Sequence, residues 1–167
     1  AFGGGTLRDV LLDRRPFFWV EHATWLWVLL ALCVGAMLFL RARHFEPTER
    51  AMQWPDALGL GLFTATGTHI ALEMGMPAIV AVLMGMVTAV FGGVMRDVVC
   101  NEIPRAFRDH QPYAVCSFAG GWVMVASYAL AWPLWLATLA AAGTATVLRL
   151  LALLRGWSLP EWRSGAH

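Results

Sequence analysis

One phrase occurs twice in this chain of 167 residues. Gly4-Gly5-Thr6-Leu7-Arg8-Asp9-Val10 returns 88 positions later as Gly92-Gly93-Val94-Met95-Arg96-Asp97-Val98. The register continues beyond it, with Asp13 on Asn101, Pro16 on Pro104 and His22 on His110. Both copies lie where a long apolar segment gives way to a charged loop. The chain must therefore fold into two halves of similar structure. Glycine-interrupted hydrophobic segments in matching positions of two halves point to a binding or conduction site in a membrane protein.

The setting is a bilayer on compositional grounds as well. Apolar residues make up 59% of the chain and charged ones 14%, against about 25% charged in soluble domains. No lysine is present, so all 12 basic side chains are arginines. A net charge of +1 and the lack of a basic aromatic patch give no reason to expect nucleic acid as a partner. Cys33, Cys100 and Cys116 are far apart, within or beside apolar segments, and read as packing residues.

Apolar runs long enough to cross a bilayer cover 23–41, 55–74, 77–100, 111–131 and 133–154, and residues 1–12 read as the end of another. Ala1-Phe2-Gly3 opens inside an apolar helix without the charged start or cleavage site of a signal peptide. The first span and the opening of the second are therefore expected to lie ahead of Ala1. A complete protein would have three spans, three more, and a last one. With three crossings per repeat, the second copy enters from the opposite side, and the halves become inverted repeats. The expected division is 1–50 for the remainder of the first repeat, 51–132 for the second, 133–155 for the final helix and 156–167 for the tail. Arginine counting puts the loops with Arg41, Arg43, Arg50, Arg105 and Arg108, and the tail with Arg155 and Arg163, on the cytoplasmic side. Pro55, Pro77, Pro112 and Pro133 are expected at or near the first turns of helices. Most tryptophans lie near span ends, as interfacial tryptophans do; Trp122, inside a span, is expected to pack between helices.

Glycines in membrane helices allow close packing, the role expected of Gly35, Gly59, Gly61 and Gly120-Gly121. A Gly-Gly pair also permits a kink, which hydrocarbon tolerates only where protein or water satisfies the freed carbonyls. Two such pairs at equivalent sites, each three residues before Arg-Asp, shift the weight towards function. Arg96 falls near the far interface, about 29 Å along its helix at 1.5 Å per residue. It either snorkels at a helix end or, if the last turns bend inward, faces a water-filled cavity with Asp97 or Asp9 as partner. Thr64, Thr68 and His69 belong to the most polar stretch inside any span. They either line a wet path or make interhelical hydrogen bonds. His69 and Glu73 supply only two ligands, which argues against a metal site. No phosphate loop, dinucleotide fingerprint or nucleophile–base set is recognisable, so neither a cofactor nor an enzyme activity is expected.

With the repeat Phe2-Gly3-Gly4-Gly5-Thr6-Leu7-Arg8-Asp9 and Val90-Phe91-Gly92-Gly93-Val94-Met95-Arg96-Asp97, supported by Ala65-Thr66-Gly67-Thr68, the chain resembles the prokaryotic branch of the trimeric intracellular cation channel family. The resemblance covers essentially the whole chain, which departs from the family pattern in lacking the first span. It implies an all-α membrane protein of inverted three-helix repeats plus a final helix. It further implies a homotrimer in a bacterial inner membrane, in contact with lipid. Each subunit would carry a pore between the repeats, passing monovalent cations, chiefly potassium. By the same resemblance Gly3, Gly4, Gly5, Gly92 and Gly93, with Thr6, mark the kinked pore. Arg8, Asp9, Arg96 and Asp97 would set its electrostatics or gate. Animal members bind a phosphoinositide through a lysine-containing motif, and this chain has no lysine. Some bacterial relatives are described as glycine transporters, so a carrier of a small zwitterion is the alternative.

Overall fold

Hydrophobic runs punctuated by proline become helices. The computed structural model describes residues 2–43, 49–108 and 112–157. Ala1, the loop centre at 44–48, residues 109–111 with His110, and the tail 158–167 lie outside the described residues. In chain order the helices are α1 (Gly3–Leu11), α2 (Phe18–Glu21), α3 (Thr24–Arg43), α4 (Glu49–Glu73), α5 (Ala78–Val99), α6 (Arg105–Arg108), α7 (Tyr113–Ala129) and α8 (Leu134–Arg155). Pro77, Pro112 and Pro133 occupy the N-caps of α5, α7 and α8. Pro55 departs from expectation: α4 starts at Glu49, so the proline lies inside it. Hydropathy marks where apolar residues begin, and α4 begins earlier, in the polar flank.

The repeat is written into the backbone. Behind α1, Leu12 N–H donates to Arg8 O at 2.9 Å and Arg14 N–H to Asp9 O at 2.8 Å. Behind α5, Cys100 N–H donates to Arg96 O at 3.0 Å and Glu102 N–H to Asp97 O at 2.8 Å. Each stop is made by a left-handed residue, Asp13 at φ 50° and Asn101 at φ 58°. Asp and Asn tolerate this region better than other side chains.

Helices α4, α5, α7 and α8 pack on one another, and α1 packs chiefly on α5. Small residues fill the interior: Ala57, Ala65, Ala71, Ala81, Ala141 and Ala145 are buried. Some crossings are backbone to backbone. A Cβ on Gly61 would overlap the Ala142 carbonyl of α8, and one on Gly85 would overlap the Thr68 hydroxyl and lie 2.7 Å from Thr64 O. Large apolar side chains point outward instead, with Val99 85%, Trp27 74% and Leu154 72% exposed. Small residues inside and bulky apolar ones outside is the pattern of helices associating in lipid, where close van der Waals contact replaces the hydrophobic effect. One expected packing position falls on this outer surface: Trp122 is exposed, edge-on to Phe118. Period and hydropathy mark a residue as apolar, and in a membrane helix that does not tell which way it faces.

Candidate functional site

The two glycine motifs meet. A Cβ on Gly4 would overlap the Thr88 carbonyl oxygen and lie 3.2 Å from Gly92 N, so only glycine fits where α1 crosses α5. Gly3 faces the Met95 sulfur, which a Cβ would approach to 2.9 Å. The Thr6 hydroxyl donates to Phe2 O at 2.9 Å and accepts from Trp19 Nε1 at 3.2 Å. Helix α5 is continuous past Gly92-Gly93, while α1 begins at Gly3 and holds Gly4 and Gly5 in its first turn. Close approach is the observed role of Gly3 and Gly4, whereas a Cβ on Gly5, Gly92 or Gly93 would meet nothing nearer than 3.8 Å. At Gly92-Gly93 the helix of α5 continues, and the expected break that frees carbonyls is not seen there.

Beside the crossing lies a cavity of about 440 Å³. Gly4 and Gly5 of one copy and Gly92, Gly93 and Arg96 of the other line it. From α4 come Asp56, Gly59, Leu60 and Phe63, at the i, i+3, i+4, i+7 spacing of a single helical face. Tyr113, the first residue of α7, completes the wall and donates its hydroxyl to Asp56 Oδ2 at 2.9 Å. A second, smaller cavity of about 30 Å³ is lined among others by Gln53, Asp56, Arg96, Asp97, Tyr113 and Arg149. The Arg149 guanidinium, buried on α8, sits 4.7 Å from the Tyr113 ring centroid, within cation–π range.

The two Arg-Asp pairs share a geometry and differ in access. Arg8 bonds Asp9 Oδ1 through Nε at 2.9 Å and Nη2 at 2.6 Å, and Asp9 Oδ2 accepts the Phe18 N–H at 3.4 Å. Arg96 bonds Asp97 Oδ1 through Nε at 2.9 Å and Nη2 at 2.8 Å. The Arg8 and Asp9 side chains are 6% and 1% exposed, whereas the Arg96 side chain is 48% exposed over an Asp97 at 5%. Arg96 lines both cavities without a break in α5. Arg8 and Asp9 line neither cavity.

Thr64, Thr68 and His69 line neither cavity either. The Thr64 hydroxyl donates to Leu60 O at 2.7 Å and lies 2.6 Å from Ser117 Oγ on α7. Thr68 is buried against α5, and His69 Nε2 lies 3.2 Å from Glu73. Their observed surroundings are helix packing. Sequence reading passed over Asp56, Tyr113 and Arg149. The available signal was an ionisable residue inside an apolar span, which in a membrane protein marks a functional position by default.

Comparison with known proteins gives a consistent result. The sequence profile of the family described as glycine transporter matches residues 1–43 and 53–129. A UPF0126 membrane protein of Vibrio cholerae is 34% identical over 166 residues, covering 97% of this chain and 67% of that protein. The UPF0126 inner membrane protein YadS of Escherichia coli K12 is also 34% identical, over 97% of this chain and 78% of its own. Among solved structures, the TRIC trimeric intracellular cation channel orthologue from Rhodobacter sphaeroides is 36% identical with a TM-score of 0.84, covering 93% of this chain and 79% of that one. A TRIC cation channel structure solved to explain conductance superposes with a TM-score of 0.87 at 28% identity, over 100% of this chain and 81% of its own. The fold is thus an all-α membrane fold of inverted three-helix repeats followed by a final helix.

Proposed function

This chain belongs to the prokaryotic branch of the trimeric intracellular cation channel family, and from that membership we propose that it forms a channel for monovalent cations, chiefly potassium. The observation that carries this reading is the cavity of about 440 Å³ bounded by both Gly-Gly-x-x-Arg-Asp motifs, one from each repeat. Among the described residues lining it, Asp56 is the acid and Arg96 the base, so a cation meets a carboxylate while the guanidinium tempers its field. In this reading residues 1–50 are the remainder of the first repeat, 51–132 the second, 133–155 the closing helix and 156–167 a cytoplasmic tail. The protein works as a homotrimer in the inner membrane, with one path per subunit. Arg96 and Asp97 act at the open end of that path, and Arg8 and Asp9 act as a sealed pair.

A second reading has its own support. A cavity with one carboxylate and one guanidinium also suits a small zwitterion such as glycine, its ammonium towards Asp56 and its carboxylate towards Arg96. The profile match to a family described as glycine transporter fits that reading.

Recording of purified full-length protein in planar bilayers, under asymmetric potassium chloride, decides between them. Discrete current steps that reverse near the potassium equilibrium potential are expected. Silent bilayers together with saturable glycine uptake into liposomes would replace the channel by the carrier.

A further inference from the structure

The two cavities share a wall. Asp56 of α4, Gly93 and Arg96 of α5, and Tyr113 of α7 line both. Three helices thus bring one carboxylate, one guanidinium and one phenol to a single partition. On one side the space is about 440 Å³, enough for a hydrated ion. On the other it is about 30 Å³, room for about two waters. A cation passing from the first into the second must leave most of its water at the partition. Oxygen ligands must replace that water, and Asp56 is the carboxylate present on both sides.

Asp56 does not offer its charge freely. Tyr113 donates a hydrogen bond to Oδ2 at 2.9 Å, and a carboxylate that already accepts a proton donor is a weaker ligand for a cation. The phenol sits at the very start of α7 and its ring is held against Arg149 of α8, so the donor is fixed in place by two helices. Asp56, Tyr113 and Arg96 lie towards the arginine-rich loops, at the beginning of α4 and α7 and the end of α5. In the other copy of the motif, Arg8 and Asp9 line neither cavity.

We propose that the wall shared by the two cavities is the selectivity gate of the path, with Asp56 the residue that meets the dehydrating cation and Tyr113 the positioning residue that sets how much of the Asp56 charge the cation feels. The inference rests on the channel reading above and adds a place and two residues to it.

The test is the conductance–concentration curve and the reversal potential in a potassium chloride gradient, measured on full-length wild type, Asp56→Asn, Tyr113→Phe and the double variant. Asp56→Asn is expected to move the reversal potential towards zero, as discrimination against chloride is lost. Tyr113→Phe keeps the ring and removes the donor. It is expected to lower the half-saturating potassium about tenfold, as fits the loss of a hydrogen bond to a charged group. In the Asp56→Asn background the same change is expected to do nothing, because its effect runs through that carboxylate. A conducting wild type whose reversal potential is indifferent to Asp56→Asn overturns the gate and leaves the channel standing. So does a Tyr113→Phe effect that persists without Asp56. If Asp56→Asn does not assemble, an unchanged half-saturation in Tyr113→Phe overturns the proposal by itself. A silent wild type overturns the channel reading, and the gate with it.

Discussion

Gly4 and Gly92 occupy the same position of the repeated phrase, yet replacing each by alanine should have opposite effects. At Gly4 the new methyl overlaps the Thr88 carbonyl oxygen, approaches its carbon to 2.9 Å and Gly92 N to 3.2 Å. These are backbone atoms, which cannot rotate away, so α1 and α5 must separate. At Gly92 the methyl meets Gly4 N at 3.8 Å, an ordinary contact, and otherwise points into the cavity. Alanine within a helix gains about 1 kcal/mol over glycine, whereas overpacking a close interface costs about 1–3 kcal/mol. Gly4→Ala should therefore lose about 0–2 kcal/mol net and Gly92→Ala gain about 1 kcal/mol. The gap between the two variants corresponds to several degrees in thermal midpoint, at about 2–4 °C per kcal/mol for a protein of this size. Thermal melting of the detergent-solubilised full-length protein, followed by tryptophan fluorescence, reads it directly. Gly92→Ala should also lower unitary current, because its methyl narrows the cavity. Equal shifts in midpoint for the two variants would refute the packing argument.

Two further contrasts follow from burial and hydrogen bonding. Arg8→Ala leaves Asp9, 1% exposed, without its cation, a loss of about 3–5 kcal/mol when a buried pair is broken. It should sharply reduce the yield of monodisperse protein on size exclusion. Arg96→Ala removes a side chain that is 48% exposed in the cavity wall, and it should fold and raise unitary conductance; the reverse order of yields would contradict the assignment of sealed and open ends. Thr64→Val removes the contact with Ser117 at 2.6 Å and should cost about 0.6–2 kcal/mol. Its melting midpoint should fall while unitary current stays unchanged, and a changed current would return Thr64 to the path.

The helices were legible because a bilayer demands long apolar runs. The expected 77–100 became Ala78–Val99, and 133–154 became Leu134–Arg155. The meeting of the motifs was legible too, because Gly4 and Gly92 stand in register in sequence. The wet face of α4 was not. Polarity drew attention to Thr64 and Thr68, yet a threonine in a helix can satisfy its hydroxyl on the carbonyl one turn back, as Thr64 does on Leu60 and Thr88 on Met84. Such a residue is no marker of water. The cavity face carries Asp56, Gly59, Leu60 and Phe63, a mostly apolar set whose one charge sits at its edge. The partition between the cavities needs Asp56, Tyr113 and Arg96 from three helices, and their meeting is a property of packing that no spacing along the chain encodes.

The close contacts of α4 with α8 at Gly61 and with α5 at Gly85 make a stationary block, because only backbone and the Thr146 and Thr68 hydroxyls stand there and leave little to deform. Helix α1 is attached differently: it touches chiefly α5, and only glycine fits at its Gly4 crossing. The backbone of Gly4 rests against the Thr88 carbonyl with no side chain between, so the width of the bore beside Gly4 and Gly92 is set by a contact that cannot be compressed.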